Sequence, residues 1–159
     1  MFISGREHGL TTFNLADLFE IAADAVPDRT ALVAGERRLS YAELDQRATR
    51  VGRHLVEAGV GPGDHVAVLS WNRAEWLESM LGAFKARAVP VNVNYRYVEA
   101  ELAYLLSDAA AVALVAERPF ADAIERIRPE LPKLHHVLVI DDGYEDAVAG
   151  ASPERAFRP

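Results

Sequence analysis

Three groups of residues in this sequence have types and spacings that could do chemistry. Gly59, Gly61 and Gly63 could turn backbone N–H groups toward a phosphate. Asp141, Asp142 and Gly143 could hold a metal ion or a ribose, and His135 and His136 offer adjacent imidazoles. Spacing weakens each reading. A dinucleotide fingerprint follows a strand and opens a helix, whereas these glycines follow a helix-like stretch and open a strand-like run. Pro62 stiffens them further into a connecting turn. The acidic pair ends the apolar run 136–140, where a turn is the commoner use of Asp-Asp-Gly. Neighbouring residues on a strand face opposite sides, so His135 and His136 do not readily share one metal. His8, His54 and His65 have no sequence partners that would make a triad, and the absence of Cys removes any thiolate nucleophile or metal ligand.

Two other stretches are placed for binding rather than for proton transfer. Residues 70–72 and 92–96 each follow a short apolar run, and ligands of open α/β sheets collect outside the carboxyl ends of strands. The runs 66–70, 89–93, 112–116 and 136–140 alternate with helical patterns, which predicts four parallel strands of one sheet with helices covering it. Helix stripes are Trp76, Leu77, Met80, Leu81 and Phe84, then Val98, Leu102, Leu105, Leu106 and Ala109, then Phe120, Ile124, Ile127 and Leu131. Asn72, three residues before Glu75, reads as a capping box for a helix over 73–87. Trp71 and Trp76 read as core or interface anchors.

Earlier in the chain, Asn14 caps a helix striped by Leu15, Leu18, Phe19, Ala22 and Val26 and ended by Pro27. Residues 31–34 and 37–39 flank Gly35 and Glu36, a two-residue link of hairpin type. Ser40 and Glu43 form a capping box for a helix with Leu44, Ala48, Val51 and Leu55 inward, stopped at Gly59. Residues 1–13 read as an N-terminal arm, 14–143 as one α/β unit, and 144–159 as an irregular tail or truncation point.

Composition narrows the classes. The 159 residues are enough for one domain with a real core. A net charge of −7, with basic residues scattered, argues against a nucleic-acid partner. There is no signal-peptide or transmembrane run, so a cytoplasmic location is expected.

The string KARAVPVNVNYR, residues 85–96, resembles the second core motif of the adenylate-forming enzymes: acyl-CoA synthetases, luciferases and peptide-synthetase adenylation domains. LSYAEL at 39–44 is similar to their first core motif and lies about 40 residues earlier, in the family's order. Within the family, the form here is most similar to bacterial acyl-CoA synthetases acting on fatty-acid or sterol-side-chain carboxylates. Arg87 stands where the family usually has Gly, and Tyr95 where many members have Pro.

The resemblance implies the first subdomain of an acyl-CoA synthetase/luciferase-like large domain. It implies an enzyme that uses ATP and Mg2+ to activate a carboxylate as an acyl-adenylate and passes the acyl group to coenzyme A. The family's phosphate loop, adenine- and magnesium-contacting motifs and late catalytic Lys have no counterpart here. An N-terminal fragment is therefore expected, inactive alone and without a cofactor of its own. One residue carries over: the Arg of the family's Asn-Pro-Arg turn meets a phosphate of the coenzyme A nucleotide, and Arg96 takes that place. A guanidinium fork suits phosphate oxygens; the structural alternative for Arg96 is a solvated pair with Glu99 or Glu101. A homodimer through exposed apolar surface is a further expectation. The alternatives to an acyl-CoA ligase are a peptide-synthetase-type adenylation fragment, whose second motif normally reads Gly-Gly-Ala-Tyr-Val-Pro, and a non-catalytic α/β binding module.

Overall fold

The computed structural model describes residues 14–155; the expected N-terminal arm, 1–13, lies outside them. In chain order the elements are α1 (Leu15–Ala25), β1 (Thr30–Ala34), β2 (Arg37–Ser40), α2 (Tyr41–Glu57), β3 (His65–Leu69) and α3 (Ala74–Lys85). There follow β4 (Val89–Asn92), α4 (Glu99–Asp108), β5 (Ala113–Glu117), α5 (Arg118–Ile127), β6 (His136–Ile140) and α6 (Tyr144–Gly150). A 3-10 turn, Arg128–Glu130, extends α5.

The pair β1–β2 is antiparallel, with Ala34 facing Arg37 across a turn in which Gly35 takes φ +60°. The other four strands form one parallel sheet in the order β4-β3-β5-β6. Alternation along the strands splits the core in two. Val66, Ala113, Val115, Leu138 and Ile140 meet Val51, Leu55, Ala83, Tyr144 and Val148 from α2, α3 and α6. Ala67, Leu69, Leu114 and Ala116 meet Leu102, Leu106, Ile124 and Ile127 from α4 and α5. Helices therefore cover both faces, as an all-parallel sheet requires.

The expected caps of α1 and α2 form. Asn14 and Asp17 close one box, Ser40 and Glu43 the other. The expected start of α3 shifts by one residue. Arg73 is its N-cap, without a side-chain bond, and Glu75 is not a box partner for Asn72. Arg37 and Arg73 take the Glu75 carboxylate instead, at 3.1 and 2.7 Å.

Two helices bury a different face from the one their apolar stripes mark. In α3 the buried side is Glu75, Glu78, Ser79, Gly82, Ala83 and Lys85, while Trp76, Leu77, Met80, Leu81 and Phe84 are only half-buried. The cause is a close crossing with α2. A Cβ added at Gly82 would lie 2.6 Å from Val51 Cγ1, and one at Gly52 would lie 2.8 Å from the Gly82 carbonyl. Only glycine lets the helices approach so far, and the charged side of α3 enters with it. In α1, Ala16 and Ala23 are buried while Leu15, Leu18 and Ile21 are exposed. This helix docks through small residues and ion pairs, Asp17 with Arg87 and Glu20 with Lys85.

The charges carried inward are matched. Glu78, fully buried, accepts from Arg47 Nε at 2.7 Å, Arg47 Nη2 at 2.9 Å, Arg37 Nη2 at 3.1 Å and the Tyr144 hydroxyl at 3.0 Å. Burial and the adjacent Glu78 charge push the Tyr144 phenol well above its ordinary range, so it stays a donor. Through this bond, and through Arg47 to Glu145 at 2.6 Å, α6 is fixed to α2 and α3. The tail 144–159 is thus not irregular at its start: it opens as a helix whose Tyr144 and Val148 are buried. Seven residues are too few to show a helical period, which is why the pattern fades there.

Candidate functional site

The carboxyl ends of the parallel strands place Leu69, Asn92, Glu117 and Ile140 along one edge of the sheet. From β3 the chain steps outward to β4, then crosses back to put β5 on the other side of β3. The strand order therefore reverses between β3 and β5, the position where open α/β sheets hold ligands.

Glu117 governs that position. It ends a strand that is buried throughout, and it is itself buried. Its Oε1 accepts from Ser70 Oγ and from the Trp71 N–H, each at 2.6 Å, and its Oε2 lies 3.5 Å from Arg73 Nη1. Arg73 grips Asp141 with two bonds of 2.8 and 2.9 Å and reaches Glu75 at 2.7 Å. One guanidinium thus ties the ends of β5 and β6 to the start of α3, and Glu117 carries the link on to Ser70 at the end of β3. The hydrogen bond from Arg73 holds the Asp141 carboxyl below its ordinary range. Next to it, Asp142 pairs with Arg118 at 2.6 Å.

The acidic pair at the end of β6 therefore forms a turn, with Asp141 at φ +68° and Gly143 at φ +92°, and each of its carboxylates already has an Arg partner. Among the described residues no group of three or more His, Cys, Asp or Glu side chains is placed to hold a metal ion. Ser70 Oγ is committed to the Glu117 carboxylate and not to a histidine.

Arg96 sits in the turn after β4 and is exposed. Its backbone N–H donates to Asn94 Oδ1 at 3.0 Å, which fixes the turn. Its guanidinium carbon lies 5.6 Å from the centre of the Tyr95 ring. Both acidic partners considered from the sequence are engaged elsewhere: Glu99 with Arg126 at 2.7 Å, and Glu101 with the Val98 N–H at 3.0 Å. Among the described residues Arg96 makes no ion pair, which leaves its fork open to an anion from solution.

Beside it the side chains form an aromatic shelf. Trp71, 44% exposed, packs on Phe120 at 5.2 Å and Tyr95 at 6.4 Å between ring centres. Trp76 donates from Nε1 to Asn92 Oδ1 at 3.1 Å. Sequence reasoning did not find Glu117 or Arg73. One signal was there for Glu117, a lone carboxylate closing the otherwise apolar run ALVAE. Arg73 carried none, since its partners lie as far away as Asp141.

Residues 19–157 match a family model described as AMP-binding enzyme. A medium/long-chain-fatty-acid/3-oxocholest-4-en-26-oate CoA ligase of Mycobacterium marinum is 45% identical over 156 residues, which is 91% of this chain and 28% of that protein. A 3-oxocholest-4-en-26-oate CoA ligase of Rhodococcus rhodochrous is 44% identical over the same shares. An anthranilate CoA ligase solved with anthranoyl-AMP superposes with a TM-score of 0.86 at 29% identity, covering 91% of this chain and 28% of that one. The chain spans little more than a quarter of the length of these relatives.

Proposed function

Because this chain belongs to the AMP-binding enzyme family, we propose that it supplies part of an ATP-dependent, AMP-forming acyl-CoA synthetase for a fatty or sterol-derived carboxylate. In such an enzyme the carboxylate attacks ATP to give an acyl-adenylate and pyrophosphate, and the coenzyme A thiol then displaces AMP. The single observation that supports this substrate class is the identity, over nearly the whole chain, to ligases named for those acids. Residues 14–143, with α6 added, are on this reading the first subdomain of the larger adenylate-forming unit.

The described residues bring no step of the chemistry with them. Their contribution is a rigid edge, set by Glu117 and Arg73, and the open guanidinium of Arg96 for a phosphate of coenzyme A. We assign no residue of this chain to ATP or Mg2+. A cytoplasmic setting belongs to the same proposal; no helix among the described residues is long and apolar enough to cross a membrane.

A chimera tests it. Residues 1–159 replace the matching segment of the Mycobacterium marinum ligase, and fatty-acid-dependent ATP–pyrophosphate exchange and thioester formation are measured. Both are expected to survive, while the 159-residue chain alone shows neither. A soluble, folded chimera that fails to adenylate would count against the assignment.

A further inference from the structure

At the end of the sheet opposite Arg96, two histidines far apart in sequence meet head to head. His54 lies in the last turn of α2 and His136 is the first residue of β6. Their Nε2 atoms are 3.1 Å apart, their ring centres 5.0 Å apart and their planes inclined by 55°. Both rings are half-buried. Nothing in the proposed ligase chemistry uses either one.

Two imidazoles that converge through Nε2 can share one proton or ligate one cation. Zinc holds imidazole nitrogens at about 2.0–2.1 Å, so two such ligands at a tetrahedral angle stand roughly 3.3 Å apart. The pair here is within a few tenths of an ångström of that spacing before any side chain moves. With ring centres only 5.0 Å apart, the rings are angled rather than laid end to end, as two ligands of one ion are. Each histidine stands on its own element of secondary structure, so the spacing is set by how α2 packs on the sheet. Both histidines are partly exposed, so solvent reaches the pair and can supply the remaining ligands.

We propose that His54 and His136 form a two-imidazole site for a first-row divalent cation, which clamps the carboxyl end of α2 to the start of β6. Nitrogen-only ligation selects zinc, nickel or copper over magnesium and calcium, which demand oxygen ligands. The adjacent His135 precedes β6 and is engaged elsewhere, its Nδ1 contacting the Lys133 carbonyl at 3.2 Å.

The test is a calorimetric titration of the full chain with Zn2+ and with Ni2+, with Mg2+ as the contrast. One saturable site per chain is expected for the first two and none for Mg2+. His54→Gln and His136→Gln should each weaken binding by at least about tenfold, the smallest loss usual even for a group behind the ligands. His135→Gln and His65→Gln should leave it unchanged. Imidazole NMR signals of the unaltered protein give a second readout that no variant can spoil by misfolding. Zn2+ should shift those of His54 and His136 and leave the other histidines in place. No saturable binding, binding that survives His54→Gln, or shifts centred on other histidines would each overturn the site.

Discussion

Arg87 holds Asp17 with two hydrogen bonds, of 2.7 and 3.1 Å, while its own backbone sits at φ +60°. The side chain that joins α1 to the end of α3 thus rides on a backbone conformation that L-residues resist. Its carbonyl also accepts from the Gly63 N–H at 2.9 Å, which fixes the turn into β3.

Replacing Arg87 separates these two effects. Arg87→Gly relieves the left-handed strain, worth about 1–2 kcal/mol, but loses a partly buried ion pair of about the same worth. Arg87→Ala loses the pair and keeps the strain. Urea unfolding should therefore rank the parent at or slightly above Arg87→Gly, with Arg87→Ala about 1 kcal/mol or more below it. Equal stability of the two variants would show that the backbone is not strained there.

The glycine crossing makes a sharper contrast. Gly82→Ala drives a methyl into Val51 and should cost about 1–3 kcal/mol, a shift of several degrees in Tm. Gly150→Ala, where an added Cβ meets nothing within 4 Å, should be neutral or stabilising by up to about 1 kcal/mol. Thermal melts of the two single variants check both.

Glu78→Ala leaves Arg47 without its buried partner and should cost about 3–5 kcal/mol. Tyr144→Phe removes one hydrogen bond from the same carboxylate and should cost about 1–1.5 kcal/mol. The ratio of the two, read from urea midpoints, tests whether Glu78 serves the arginines first and α6 second.

Acid should weaken the fold in a definite window. The Arg87 hydrogen bond holds Asp17, and the Arg73 hydrogen bond holds Asp141, below the ordinary Asp value of 3.8. Burial pushes Glu75 up, but its bonds and charges from Arg73 and Arg37 outweigh this and leave it below 4.5. In the unfolded chain these carboxylates take up protons at the ordinary values, while the folded ones resist. Their stabilisation is therefore complete above about pH 5 and is lost as pH falls through the folded values. Urea midpoints at pH 6 and pH 3.5 should differ, and Asp17→Asn should reduce that difference.

Much of this architecture is legible in the sequence, because strand runs and helix periods are local. The runs ending near Leu69, Asn92, Ala116 and Ile140 give the sheet, and Ser40 with Glu43 gives the start of α2 within a residue. What period does not tell is which face of a helix is inside. In α3 the apolar stripe through Trp76 and Phe84 is only half-buried, since the contact between Gly52 and Gly82 draws the opposite side inward. At the candidate site, Arg96 rests on a motif and Glu117 on a detail at a strand end. Arg73 to Asp141 and His54 to His136 are products of packing between elements 68 and 82 residues apart, and no local pattern encodes them.

In the chimeric ligase, Arg96→Ala should raise the KM for coenzyme A roughly 10- to 100-fold and spare ATP–pyrophosphate exchange. The exposed position places the effect at the low end, and high salt should shrink it. Arg96→Lys should recover part of the loss. If the 3′-phosphate is the target, variant and parent should use dephospho-coenzyme A almost equally well. Equal losses in adenylation and thioester formation would make Arg96 a structural residue.

The reversal of strand order also has a timetable. During synthesis β3, α3 and β4 emerge as one contiguous stretch and can pair as they appear. The other edge of β3 stays bare until β5 follows, about 20 residues later, or roughly 1–4 s at ordinary elongation rates. Over that interval the nascent chain presents His65–Leu69 as an unsatisfied, almost wholly apolar strand edge, open to a neighbouring chain or a chaperone. Pairing of Val66–Leu69 with Ala113–Ala116 closes it, and the Glu117 carboxylate then bonds Ser70 and Trp71 just beyond the strand.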